Sequence, residues 1–124
     1  SMEGLYSAQD SFCREVESLL DDYPLSAQIA VWGAGHQSLF ALSYTSLSSR
    51  VSFVVDSSQA KQGLFTPSSN LKIFPPNHLL SEKIDLLIIS CAGYNDEVYK
   101  LAKSMTLSCD IIILHLNGFK TPLP

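Results

Sequence analysis

The first 24 residues carry a hydrophobic pattern with the period of a helix. Apolar residues recur every three or four positions along residues 7–23, and acidic residues lie between them. This period predicts an amphipathic helix with one face directed at a core. Because a proline disfavours the helical conformation of the residue before it, the helix is predicted to end at Pro24. The apolar positions are Ala8, Phe12, Val16, Leu19, Leu20 and Tyr23.

Four later runs are apolar on both faces, which is the pattern of strands buried in a parallel sheet. A helical period follows the first run as far as Leu47, and another follows the third run over residues 95–104. A shorter run at residues 71–74 predicts an edge strand before Pro75 and Pro76, with a brief helix at residues 77–80. The four buried runs are residues 28–32, 51–55, 84–90 and 110–116.

The alternation of strands and helices predicts right-handed β-α-β crossovers with helices on both faces of the sheet. We therefore expect an α/β fold, a Rossmann-like three-layer domain with a mostly parallel sheet, preceded by the N-terminal amphipathic helix. The chain has 124 residues, 46% of them hydrophobic, which is enough for one core and short for two. A single domain over residues 1–124 is expected.

The charge and the cysteine content of the chain limit which partners and which cellular compartment we expect. The formal net charge is -4 and the acids concentrate in residues 1–22, so neither a nucleic acid nor a membrane surface is expected as a partner. No apolar run approaches the roughly 20 residues of a membrane span, and the acidic N-terminus lacks a signal-peptide pattern. The three cysteines form no C-x-x-C pair and fit reduced thiols, which indicates a cytoplasmic protein.

A glycine-rich loop follows the first predicted strand, at the edge where open parallel sheets bind ligands. In residues 33–38, Gly33 would allow a tight turn and Gly35 the close approach of a phosphate, while Ser38 stands at the third glycine of the G-x-G-x-x-G pattern. Asp56 ends the second strand, where a ribose-binding acid would lie in a dinucleotide fold. The pattern favours a nucleotide-like ligand; the alternative is a purely architectural turn, with Asp56 as a cap or turn residue.

Other side chains are predicted at the same edge of the sheet. His36 begins the second helix, where its imidazole could meet a phosphate or a sugar hydroxyl. Lys61 could pair with a phosphate, with Gly63 supplying a turn, and Tyr94 could line the cleft. The alternative for each is a solvated surface position.

The other candidate residues are predicted to have structural roles, in capping helices or in packing. Asn95 or Asp96 is predicted as an N-cap of the helix that follows. His78 is expected to pack or to face solvent, and His115 to take a position in the core or at its rim. Cys91 is expected to be a small buried thiol. No metal-ligand spacing, nucleophile elbow, P-loop lysine or catalytic carboxylate pair is present in the sequence.

The order of the motifs resembles the C-terminal domain of the S-adenosylmethionine-dependent C-methyltransferase family, which includes deoxysugar methyltransferases. The resemblance extends over roughly residues 8–118. It is carried by Ile29-Ala30-Val31-Trp32-Gly33-Ala34-Gly35, Val54-Val55-Asp56, Lys61-Gln62-Gly63, Ile73-Phe74-Pro75-Pro76, Asp85-Leu86-Leu87-Ile88-Ile89 and Tyr94-Asn95-Asp96-Glu97-Val98.

The resemblance implies that the chain is one domain of a longer protein whose domains have separate functions. In that family a zinc-binding N-terminal part and a central catalytic domain that binds S-adenosylmethionine precede a Rossmann-like C-terminal domain that helps to hold a nucleotide-linked sugar. The chain would be the third part only, would bind no cofactor itself and would depend on the N-terminal and central domains for catalysis. By position, the substrate-binding residues would be Gly33, Gly35, His36 and Gln37, with Asp56, Lys61, Gln62 and Gly63 beside them and Tyr94 across the cleft.

Three other functions remain open from the sequence. The first is a stand-alone nucleotide- or sugar-nucleotide-binding module without methyltransferase activity, similar to the N-terminal domains of sugar acyltransferases, which also carry a glycine-histidine loop. The second is a fragment of an NAD-dependent oxidoreductase, which Ser38 disfavours. The third is a structural interaction domain.

Overall fold

A computed structural model describes the backbone of residues 2–115 and the side chains of residues 9–115. The described chain alternates helices with five strands, and two short 3-10 helices, Pro76–Leu80 and Ala92–Tyr94, lie in the connections. The elements are α1 (Met2–Asp21), β1 (Ile29–Trp32), α2 (His36–Tyr44), α3 (Leu47–Arg50), β2 (Val51–Val55), β3 (Ile73–Phe74), β4 (Leu86–Ile89), α4 (Asn95–Ser104) and β5 (Asp110–Ile113).

The five strands form one sheet in the order β3-β2-β1-β4-β5, and every pairing is parallel. At the centre of the sheet, Val31 of β1 lies between Val54 of β2 and Ile88 of β4. Following the chain, β2 and β3 are added on one side of β1, whereas β4 and β5 are added on the other side. The predicted α/β fold is confirmed. In open parallel sheets such a reversal of strand order leaves a crevice between the carboxyl ends of the two strands, here β1 and β4, and this is where such sheets bind ligands.

Helices cover both faces of the sheet, which gives the three predicted layers. On one face, Phe12 and Val16 of α1 pack with Val31 and with Leu42 of α2. On the other face, Trp32 packs with residues of the 3-10 helix Pro76–Leu80 and of α4. Phe12 and Val16 are almost completely buried, so the predicted amphipathic face of α1 is confirmed. No described helix has the length and hydrophobicity that crossing a bilayer requires.

The C-terminal end of α1 is held by Arg50. The guanidinium donates hydrogen bonds to the carbonyl oxygens of Leu20 at 3.2 Å, Tyr23 at 3.1 Å and Pro24 at 2.9 Å. The last carbonyls of a helix have no partners within the helix, and the helix dipole favours a cation at this end. Because Arg50 directly precedes β2, it ties the end of α1 to the sheet.

The helix predicted to continue through Leu47 is instead divided into α2 and α3. The Thr45 hydroxyl donates to the carbonyl of Ala41 at 2.6 Å and accepts the amide of Leu47 at 3.1 Å. The Glu17 carboxylate on α1 then accepts the amide of Ser46 at 3.0 Å. These side-chain bonds replace the helical bonds of the turn, as serine and threonine commonly do.

Two other local predictions differ from the structure. The N-cap of α4 is Tyr94, so the prediction of Asn95 or Asp96 was wrong. Asn95 is nearly buried, and its Oδ1 accepts the amide of Cys91 at 2.7 Å, which stabilises the preceding loop. The brief helix near residues 77–80 is a 3-10 helix that begins at Pro76. Residues 116–124, which include the end of the last predicted strand, lie outside the described residues.

Tyr23 makes the fold less stable at strongly alkaline pH. Its hydroxyl donates to Oδ2 of Asp110 at 2.7 Å, and burial, followed by the hydrogen bond and charge of Asp110, raises the pKa of Tyr23 from 10.0 to about 12. The folded state therefore favours the protonated phenol. This contribution to stability is fully present below about pH 10 and is lost as the pH rises through about 12.

Spectrophotometric titration of tyrosinate tests this expectation. We expect a high-pH ionisation step that disappears in Tyr23→Phe and moves to lower pH in Asp110→Asn, because the asparagine carries no charge. A high-pH step that persists in Tyr23→Phe would show that another tyrosine produces it.

Candidate functional site

The first turn of the glycine loop requires glycine at position 33. Gly33 has φ +129°, and its amide donates to the carbonyl of Val55 at 2.8 Å. A Cβ atom added at this position would lie 2.2 Å from the carbonyl oxygen of Ser90, at the end of β4. The turn therefore packs against the carboxyl end of β4, and the predicted role of Gly33 in a tight turn is confirmed.

Gly35 lies at the open side of the loop. It is the N-cap of α2 and has an extended backbone, with φ -88° and ψ -172°. Among the described residues, no heavy atom lies within 4 Å of a Cβ added there. The amide of Leu39 donates to the carbonyl of Gly35 at 3.0 Å, whereas the first-turn amides at positions 36–38 precede any helical acceptor. Unpaired amides and the positive end of the helix dipole therefore lie beside open space.

Ser38 performs the packing role of the third glycine in the fingerprint. It is 1% exposed and lies on the face of α2 that also buries Ala41 and Leu42. Its hydroxyl has no hydrogen-bond partner among the described residues. A small side chain at this position lets the helix approach the sheet closely, which is the function of the third glycine. The incomplete sequence motif is therefore compatible with close helix packing.

Asp56 bonds directly to the glycine loop. Its Oδ2 accepts the amide of Ala34 at 2.7 Å, and its Oδ1 accepts the amide of Ser58 at 2.8 Å. Each carboxylate oxygen can accept a second hydrogen bond. The acid at the end of β2 thus connects the two loops at the carboxyl edge of the sheet.

The loop after β2 lies against the glycine loop, as the sequence predicted for Lys61. The Lys61 ammonium donates to the carbonyl of Ala34 at 3.1 Å, and the Gln62 side-chain amide donates to the carbonyl of Asp56 at 2.9 Å. Gly63 turns the chain with φ +88°, and its amide donates to the carbonyl of Ile73 at 2.8 Å. These bonds bring Asp56, Lys61 and Gln62 together around Ala34.

On the other side of the crevice, the end of β4 carries Ser90 and Cys91. Ser90 is buried, and its hydroxyl lies 3.5 Å from Oε1 of Gln37. The Cys91 thiol donates to the carbonyl of Trp32 at 3.2 Å. Burial, with a smaller contribution from the charge of Asp56, raises the pKa of Cys91 to about 11. Cys91 is therefore protonated at neutral pH. It is half-buried, whereas the sequence predicted a buried thiol.

The two side chains predicted at the outer rim of the crevice are exposed. His36 is exposed at the first position of α2, and Tyr94 is 68% exposed in the loop after β4. Neither makes a hydrogen bond through its side chain to the described residues around the crevice.

The other two histidines lie elsewhere. The ring of His78 stacks on Phe74 with a centroid distance of 3.9 Å, and its Nε2 lies 3.3 Å from a carboxylate oxygen of Glu82. His115 is exposed just after β5. Within residues 2–115, no group of three or more histidine, cysteine or acidic side chains could hold a metal ion.

The sequence interpretation missed two residues of this site, Ala34 and Ser90. Ala34 is almost completely buried, and both of its backbone polar groups bond to the loop after β2. No local pattern marks that role because both bonds are made by distant side chains. A signal did exist for Ser90, since it is a polar residue at the carboxyl end of an apolar strand next to β1.

The strand order and the crevice define a Rossmann-like α/β domain. The family model described as the C-methyltransferase C-terminal domain matches residues 6–114. That match covers most of the chain, and the chain belongs to this family. A search of curated proteins finds no match.

Proposed function

We propose that this domain holds the substrate of a methyltransferase that uses S-adenosylmethionine, and that a nucleotide-linked sugar is the substrate class. Family membership supports the association with a methyltransferase. The observation that carries the binding role is the open space at Gly35, beside the unpaired first-turn amides of α2 and at the crossover of the sheet. Methyl transfer itself takes place in another domain of the parent protein, where S-adenosylmethionine binds.

The proposed contacts follow from the geometry of the crevice. The backbone at Gly33 and Gly35 lets a diphosphate approach the first turn of α2. His36 and Gln37 carry side-chain donors at the start of that helix, and Tyr94 supplies an exposed ring on the β4 side. The loop of Asp56, Lys61, Gln62 and Gly63 lies against the glycine loop and borders the proposed site on the β2 side.

Thermal unfolding with four ligands tests the proposal. Separate titrations use dTDP, UDP, NAD and S-adenosylmethionine, because a ligand that binds only the folded state raises the melting temperature. We expect stabilisation by a nucleoside diphosphate. Stabilisation by S-adenosylmethionine alone would contradict the proposal, and a response confined to NAD would support a dehydrogenase fragment instead.

Gly35→Val is the mutational test of the same crevice. We expect it to abolish binding of the nucleoside diphosphate, because the valine side chain would occupy the open space at the first turn of α2. The stability cost should be only about 1 kcal/mol, since the extended backbone accepts valine but the residue is a poor N-cap. Calorimetric titration and urea unfolding measure the two effects.

The matched control is Ser43→Val, which places the same side chain on an exposed position of α2 away from the crevice. Ser43→Val should retain the wild-type affinity. Undiminished affinity in Gly35→Val would mean that the glycine serves the turn alone.

A further inference from the structure

Ala34 is held at both of its backbone polar groups by side chains from one loop. Oδ2 of Asp56 accepts its amide at 2.7 Å, and Nζ of Lys61 donates to its carbonyl at 3.1 Å. We infer that Asp56 and Lys61 are positioning residues, which fix Ala34 and thereby the direction of the first turn of α2, instead of contacting the ligand. The consequence for ligand affinity rests on the proposed function, whereas the effect on the loop does not.

The glycine loop needs such a restraint because of its composition. Ala34 lies between Gly33 and Gly35, and glycine has more backbone freedom than any other residue. On the N-terminal side, Gly33 is fixed by its bond to Val55 and by its packing on Ser90. On the C-terminal side, Gly35 is the N-cap of α2 but has no side chain with which to cap the first-turn amides. The two bonds to Ala34 therefore fix the backbone just before the unpaired amides.

Asp56 is itself held rigidly enough to act as a support. Its amide donates to the carbonyl of Phe74 in β3 at 3.0 Å, and its carbonyl accepts the side-chain amide of Gln62 at 2.9 Å. The second carboxylate oxygen is fixed by the amide of Ser58. Both bonds to Ala34 involve a charged partner, and such hydrogen bonds are stronger than those between neutral groups. The position of the glycine loop is thus tied to the neighbouring strands of the sheet.

Two nearly isosteric substitutions test the restraint. Asp56→Asn keeps one acceptor oxygen and replaces the other with an NH2 group. That NH2 group would face the backbone amide of Ala34 or of Ser58, so two donors would meet and one hydrogen bond would be lost. Lys61→Met removes the donor to the Ala34 carbonyl while keeping the length of the side chain. Lys61→Arg restores a donor, and Lys100→Met, on α4, is the control for loss of an exposed lysine.

Hydrogen exchange and the NMR shift of the Ala34 amide give a readout that needs no ligand. We expect exchange at Ala34 to accelerate by about tenfold or more in Asp56→Asn and in Lys61→Met, with a shift of the amide resonance. Lys61→Arg should return both towards wild type, and Lys100→Met should leave them unchanged. Wild-type exchange at Ala34 in both Asp56→Asn and Lys61→Met would overturn the inference.

Affinity for dTDP and UDP gives the second readout. We expect Asp56→Asn and Lys61→Met to weaken binding by about tenfold while the salt dependence of Kd stays that of the wild type. A weaker salt dependence in Lys61→Met would show a direct ion pair with the phosphates and contradict a positioning role. If the wild type binds neither nucleotide, the proposed function fails, and the exchange experiment still decides whether the two side chains restrain the loop.

Discussion

Replacing Gly33 by alanine is expected to lower the free energy of unfolding by about 3 kcal/mol or more, the largest loss of any single methyl addition in the glycine loop. Two causes act together. The backbone has φ +129°, which alanine rarely adopts, and the new methyl group would lie 2.2 Å from the Ser90 carbonyl oxygen. That oxygen belongs to the backbone at the end of β4, so it cannot move away as a flexible side chain could.

Urea unfolding of Gly33→Ala beside Gly35→Ala separates this effect from the general cost of changing a glycine. The methyl group of an alanine at position 35 would meet no atom of the described residues within 4 Å, and the backbone there has an ordinary extended conformation. We expect that variant to stay within about 1 kcal/mol of wild type. Similar losses in the two variants would mean that the carboxyl end of β4 moves freely enough to accept the methyl group.

Arg50→Ala is expected to destabilise the protein by about 2–4 kcal/mol. The substitution removes a charged donor from three carbonyl oxygens at and beyond the end of α1, those of Leu20, Tyr23 and Pro24. The Leu20 and Pro24 carbonyls keep the backbone amides of Tyr23 and Ala27 as donors. The carbonyl of Leu20 belongs to a residue that is almost completely buried. Loss of the guanidinium should therefore loosen the packing of α1 on the sheet.

The control is Arg14→Ala, on the exposed face of α1. Arg14 pairs with Asp10 at 2.8 Å, but its side chain is 70% exposed, so its removal should cost less than about 0.5 kcal/mol. Chemical unfolding measures both variants. Arg50→Lys should recover only part of the loss, because a single ammonium cannot reproduce the fork of the guanidinium. Equal stability of Arg50→Ala and Arg14→Ala would rule out a role for Arg50 as the cap of α1.

The sequence pattern predicted the layers of the fold because burial repeats with a regular period. The continuous apolar runs of β1 and β4 are buried at every position, which is the pattern of central strands. Element ends were harder to predict, because single side chains decide them. Thr45 bonds to the carbonyl of Ala41 and interrupts the second helix, although the hydrophobic period continues to Leu47.

The candidate site could be predicted in part. From their positions in the sequence, Asp56 and Lys61 were predicted to lie at the edge of the sheet that carries the glycine loop. The structure confirms that both lie beside this loop. The atoms that they contact could not be predicted, because Asp56 and Lys61 meet Ala34 only after β1 and β2 have paired. The same reason applies to Arg50, whose three acceptors lie at and just beyond the end of a helix that finishes almost thirty residues earlier.

The central position of β1 has a consequence for the order of folding. The bond from Ala34 to Asp56 joins residues 22 apart along the chain, whereas the bond from Gln28 to Asp85 beside β4 joins residues 57 apart. Closing the longer loop costs more chain entropy, so we expect β4 to dock after β1 and β2 have paired. Until it docks, Ser90 is absent from the crevice, and Gly33 keeps its bond to Val55 but lacks its neighbour on the β4 side. A bound substrate would therefore report the completed fold, since a chain that has assembled only the first half of the sheet has one wall of the crevice and not the other.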